Sequence, residues 1–194
     1  MRIALVSTLA VAAALLAGCD DGDNTPPRSN VSSVTSTTGT FADAPAPTPT
    51  DAEPKRGAPS SGAGVTVTGI RIGRHPGFDR VVYDLGGTGS PGWIVQYTDR
   101  AIQDGSGNPV DVAGQSILEV QITGSAYPFD SGVTPYEGPD PVTDPSAPGI
   151  AGVYRTTIFE GITQSFIGVN AGRPAFAVSA LSGPTRLVID IATP

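Results

Sequence analysis

The side chains able to do chemistry are few in this chain and thinly spread. It holds one histidine, His75, and one cysteine, Cys19. A serine-hydrolase triad needs an imidazole beside an activated serine and an aspartate. His75 stands instead in "GRHPGFD", a turn ahead of an apolar run, and no G-x-S-x-G elbow accompanies it. Zinc sites built from four cysteines, or from two cysteines and two histidines, are excluded by this inventory, and zinc amidase chemistry needs about three protein ligands. Carboxylates are more numerous. Asp79, Asp84, Glu119, Glu160 and Asp190 are the candidates for the acid and base of a glycosidase, but most are explained as strand-face or turn charges. Asp104 and Asp111 in "DGSGNPVD" lack the spacing of an EF-hand loop. The expectation is a protein that is not an enzyme and has no metal or cofactor.

Recognition chemistry is better represented. Arg71, Arg74, His75 and Arg80 fall within ten residues. A guanidinium fork reads carboxylates through paired hydrogen bonds, and aromatic rings offer faces to sugars. Trp93 and Tyr97 follow on the next apolar run, with Arg155 and the loop residues Tyr127 and Tyr136 as further candidates. For each aromatic a place in the core competes with a ligand contact; for each arginine the competitor is a solvated strand face. The Arg71–Arg80 cluster ranks first because it concentrates the most polar groups.

These residues are carried by short apolar runs separated by Gly, Pro, Asp and Asn. Strands are predicted near Val65–Ile72, Phe78–Leu85, Gly92–Thr98, Ile117–Thr123, Val153–Glu160, Thr163–Val169, Ala175–Leu181 and Thr185–Ile191. No segment shows a helical stripe of useful length. The fold class is all-β: a sandwich of about eight mostly antiparallel strands with pseudo-symmetric halves, following a signal peptide and a disordered linker. "EGIT" (Glu160–Thr163) reads as a tight hairpin, and Ser125–Gly149 as a long Pro-rich loop that is functional or mobile.

Two runs nearly repeat each other: "DRVVYDL" (Asp79–Leu85) and "TRLVIDI" (Thr185–Ile191). Side chains alternate along a strand. Val81, Tyr83 and Leu85 therefore share one face, as do Leu187, Ile189 and Ile191. Arg80 and Asp84, and Arg186 and Asp190, lie on the other. If the copies are antiparallel neighbours, one register sets Arg80 opposite Asp190 and Arg186 opposite Asp84. The competing arrangement places one copy in each of two stacked sheets.

The chain begins with "MRIALVSTLAVAAALLAGC". Residues 1–18 read as a signal peptide: Arg2, an apolar run, and small residues before the break. Leu16–Cys19, "LAGC", resembles the bacterial lipobox, which implies a diacylglyceryl group on Cys19 and an anchor of two acyl chains. Residues 19–64, rich in Ser, Thr, Pro and Asp, read as a disordered tether. Residues 65–194 form the domain. The net charge of −7 excludes nucleic acid as a partner.

"HPGFDRVVYDLGG" (His75–Gly87), "PGWIVQY" (Pro91–Tyr97), "FEGITQSFIGV" (Phe159–Val169) and "FAVSALSGPTRLVIDI" (Phe176–Ile191) together resemble AMIN-like domains, and the whole chain resembles the actinobacterial lipoproteins that carry them. Related AMIN domains are β-sandwiches found beside cell-wall amidases. The resemblance implies a lipid-anchored protein on the outer face of the bacterial cell membrane, with peptidoglycan or a wall glycan as ligand. The alternative is a protein-interaction module that holds an envelope complex through a sheet edge or the long loop.

Overall fold

The computed structural model describes residues 47–193. The signal peptide, Cys19 and the first part of the tether lie outside these residues. Nine strands and one short helix follow in the order β1 (Lys55–Gly57), β2 (Gly64–His75), β3 (Phe78–Thr88), β4 (Gly92–Thr98), β5 (Ser116–Thr123), α1 (Pro128–Ser131), β6 (Ile150–Phe159), β7 (Ile162–Val169), β8 (Phe176–Leu181) and β9 (Arg186–Ala192). One sheet runs β2-β3-β9-β8 and the other β1-β4-β5-β7-β6, with every pairing between strands antiparallel. The eight strands read from the sequence are all present, and β4 has the predicted bounds.

Alternation explains the core. β5 buries Ser116, Leu118, Val120 and Ile122 and turns Ile117, Glu119, Gln121 and Thr123 outward. From the opposite sheet come Val81, Tyr83 and Leu85 of β3 and Leu187, Ile189 and Ile191 of β9, none more than 6% exposed. These residues form one cluster with Val95, Ile167, Val169 and Phe176. Each aliphatic side chain so buried contributes about 1.5–3 kcal/mol. The "EGIT" turn is a two-residue hairpin in which Glu160 and Gly161 have φ of 48° and 75°. Two positive φ values in succession match the twist of the flanking strands.

The repeated strands are neighbours in one sheet. β3 and β9 pair with Arg80 opposite Asp190 and Asp84 opposite Arg186. The separate-sheet arrangement is not adopted.

The tether expectation needs correction at its end. Lys55–Gly57 adds a strand to the edge of β4, setting Lys55 opposite Val95. Just before it, the Asp51 carbonyl accepts a hydrogen bond from the Phe176 amide at the edge of β8. Lys55 pairs with Asp51, and its ammonium lies 5.2 Å from the centre of the Phe176 ring. Residues 51–57 thus strap one open side of the sandwich, linking an edge of each sheet. Composition missed this because a backbone ladder can recruit polar residues that bury little.

The long loop closes the opposite side. The Ala126 and Tyr136 amides donate to the Val65 and Val67 carbonyls on the free edge of β2. Val142 pairs with Val153 on the free edge of β6. Thr66 Oγ1 donates to the Ala126 carbonyl and meets Ser131 Oγ at 2.7 Å, seating α1.

Candidate functional site

Strand alternation divides the arginine cluster that the sequence singled out. Arg71, His75 and Arg80 border one shallow depression on the outer face of the first sheet. Arg74 faces the other way, opposite Asp79, beside a separate cleft formed with Gly149, Asn170 and Thr193. Within the depression the groups are already engaged. Arg71 gives two hydrogen bonds of 2.8 Å to Asp84. Arg80 gives two to Asp190, at 2.7 and 3.0 Å, with the side chains only 7% and 2% exposed. The Phe78 ring lies over Arg80 at 5.3 Å and stacks on His75 at 4.9 Å. Around Arg80 and Asp190 the Arg/Asp face is paired and buried.

Arg71 was not expected to hold Asp84. The reason lies in a register shift between Val67 and Gly69, which sets Gly69 opposite Asp84. A Cβ at Gly69 would come within 2.8 Å of Asp84 Oδ2. Its absence lets the carboxylate lean toward β2, where Arg71 is the diagonal neighbour.

Trp93 and Tyr97 sit in the other sheet, packed against the core. The Tyr97 hydroxyl donates to the Pro174 carbonyl at 2.8 Å, and its ring meets Phe176 edge-on. Burial pushes its phenol up to about 12. Neither aromatic borders the depression of Arg71, His75 and Arg80; the arginine over the Tyr97 ring is Arg173, at 6.0 Å.

The structure gathers another group beneath the long loop. A cavity of about 90 Å³ lies between the sheets where the loop roofs them. Thr66, Val67 and Ile70 of β2, Tyr83 of β3, Arg155 and Ile158 of β6, and Thr163, Gln164 and Ser165 of β7 form its walls; Pro128, Pro135 and Tyr136 come from the loop. Ser165 Oγ donates to the Tyr154 carbonyl at 2.8 Å, so the Tyr83 hydroxyl is the donor in its 2.9 Å bond to Ser165. Burial raises the Tyr83 phenol well above its ordinary value. The Gln164 amide is held on both ends, accepting from the Asp104 amide and donating to Glu119.

Arg155 is held less completely. It donates through Nη1 to the Tyr136 carbonyl at 2.7 Å and lies 4.9 Å over the Tyr136 ring. Its Nε is buried, has no hydrogen-bond acceptor among the described residues, and stands 3.8 Å from Asp140 Oδ2.

Three large apolar side chains, Tyr127, Phe129 and Phe159, are exposed. The rings of Tyr127 and Phe129 are stacked, 5.3 Å apart and 6° from parallel, and Phe129 is 81% exposed. The Tyr127 hydroxyl donates to the Ile158 carbonyl, which ties the stack to the end of β6. Phe159 lies against Gly105, where an added Cβ would come within 2.8 Å of its ring. Tyr127, Tyr136 and Arg155 were secondary candidates in the sequence; Phe129 and Phe159 were not identified. The available signal was an aromatic inside a Pro-rich loop too long to be a simple connection. Among the described residues, no three His, Cys, Asp or Glu side chains gather as a metal cage would require.

Comparison with known proteins settles the family. Residues 65–193 match the model of the AMIN-like domain. The chain belongs to the AMIN-like domain family. The matched span begins at the second residue of β2 and takes in every later strand, so the strap at residues 51–57 lies ahead of the AMIN-like domain proper. No curated protein and no solved structure matches this AMIN-like chain.

Proposed function

We propose that this protein is a non-catalytic envelope lipoprotein, anchored through lipid on Cys19 to the outer face of the cell membrane, whose AMIN-like domain binds peptidoglycan or a wall-associated glycan. The observation that carries the reading is the family match over residues 65–193. AMIN domains localise proteins to the cell wall, and this chain has an end surface of exposed rings suited to a polymer of sugars. The "LAGC" motif supports lipidation, and two acyl chains supply stable anchoring.

The rival reading, an envelope-protein partner held at a sheet edge or on the long loop, loses its sheet-edge form where β1 covers β4 and where the loop bonds to β2 and β6. Cosedimentation with purified peptidoglycan tests the proposal. The chain is expected in the pellet, released by soluble wall fragments. A chain that stays in the supernatant at every protein concentration overturns it. Mass spectrometry of the mature N-terminus tests lipidation: Cys19 is expected to carry the diacylglyceryl thioether, and a free thiol there refutes the anchor.

A further inference from the structure

Resting on the anchored, wall-held reading, we infer that the strap ahead of the domain is a tension release. Load between the lipid anchor and the wall peels residues 47–58 from the sandwich and lengthens the tether while both sheets stay folded.

Position puts the strap in the load path. It is the first described structure downstream of Cys19, so a pull from that side reaches it before the domain. Pro47, Thr48 and Pro49 lie in a groove with Phe78 and Asp190. Asp51 then bridges to Phe176, and Lys55–Gly57 pair with Trp93–Val95. Each attachment meets the load in turn.

Packing makes this segment the weakest part of the described chain. No residue from 47 to 57 is buried, whereas β9 buries Leu187–Ile191 without a break. A three-residue ladder, one bridge and the Lys55 ammonium 5.2 Å from the centre of the Phe176 ring hold it. The Lys55–Asp51 pair lies within the strap and adds no link to the sheets. Segments with exposed hydrogen bonds and few buried apolar contacts open at far lower free energy than the core.

A clasp limits the release. The Ser60 amide donates to the Ser90 carbonyl at 3.1 Å, and Ser60 Oγ accepts from the Ser90 amide at 2.9 Å. Pro59 packs on Gly92, where an added Cβ would come within 2.5 Å of it. Residues 47–58, extended at up to ~3.6 Å each, therefore add at most about 40 Å. The freed strap stays joined at Ser60, and the high effective concentration of a short linker returns it when the load falls.

The full chain, with Cys19→Ser, is pulled from tags at its two ends in an optical trap. A reversible step of up to about 40 Å is expected below the force at which the sandwich unfolds. Deleting residues 47–57 is expected to remove that step and leave the unfolding force of the sandwich unchanged. Arg56 and Ile94 stand opposite each other on β1 and β4. A disulfide between Arg56→Cys and Ile94→Cys is expected to shorten the step to about 30 Å, and dithiothreitol to restore it. No step before the sandwich unfolds, a step that survives the deletion, or one that the disulfide leaves unchanged overturns the inference. Mass spectrometry and cosedimentation keep the two readings apart. A step in a chain that is unlipidated or not retained by the wall overturns the proposed function and spares the release. No step in a lipidated, wall-retained chain overturns the release alone.

Discussion

Arg80 and Asp190 meet across adjacent strands as a bidentate ion pair almost sealed from water, at 2.7 and 3.0 Å. Charges taken out of water at this cost are retained where their geometry specifies something. Here the pair locks β3 to β9 in the register that keeps Val81, Tyr83, Leu187 and Ile189 on the core side. A slip of one residue would turn one of the two apolar rows outward. The stacked rings of His75 and Phe78 cover the Arg80 end of the pair.

Removing one partner should be costly. Asp190→Ala leaves a guanidinium buried beside no carboxylate at that position, and a loss of about 3–5 kcal/mol is expected. Urea unfolding followed by far-UV circular dichroism measures it. The double replacement Arg80→Met with Asp190→Leu is expected to recover most of the loss, because it removes both buried charges together. If the double variant is no more stable than Asp190→Ala alone, the charge explanation fails.

The Arg71–Asp84 pair has equally short hydrogen bonds, yet its arginine side chain is 58% exposed. Water screens it, so Arg71→Ala is expected to cost less than about 1 kcal/mol, falling further in high salt. Matched unfolding curves at low and high ionic strength check both statements. A loss as large as that for Asp190→Ala would show that exposure does not separate the two pairs.

The strap can be tested with the only tryptophan in the chain. A Cβ at Gly57 would lie 2.4 Å from Trp93 Cζ2, so the glycine is required for β1 to pass the indole. Gly57→Val is expected to displace either β1 or the ring, shifting Trp93 emission to the red while the other strands persist in circular dichroism. Unchanged emission would mean that the strap does not touch Trp93 in solution.

A pH effect is expected at Asp104. Burial, and then the charge of Glu119, raise its carboxyl above the ordinary 3.8. The folded state therefore holds this proton more tightly than the unfolded chain. The contribution is most favourable below pH 3.8 and is lost as pH rises through the elevated value. At neutral pH the ionised group opposes folding, so Asp104→Asn should stabilise at pH 7 and not at pH 3. The side chain is partly solvated, which limits the gain to no more than about 0.5 kcal/mol. Thermal melts at the two pH values decide it; equal shifts at both would assign the effect to something other than charge.

What the sequence determined by itself is local. Alternation along "DRVVYDL" and "TRLVIDI" was enough to assign the core faces, because strand geometry sends successive side chains to opposite sides whatever the partner. It also framed the register with Arg80 opposite Asp190, conditional on the strands being neighbours. The "EGIT" hairpin was legible for another local reason, since Gly161 marks a tight turn, although the positive φ of Glu160 was not foreseen. What only the tertiary structure decided depends on contacts between distant residues. Neighbouring β3 and β9 required closing a loop of about a hundred residues, and burial of their shared charges followed from that closure. The compact Arg71–Arg80 cluster in the sequence is divided between two faces in space, whereas Arg155 and Tyr136, far from it in the chain, come together where the loop crosses from β2 to β6. Alternation is written in each strand; the meeting of two sheet edges under a loop exists only once the chain has folded.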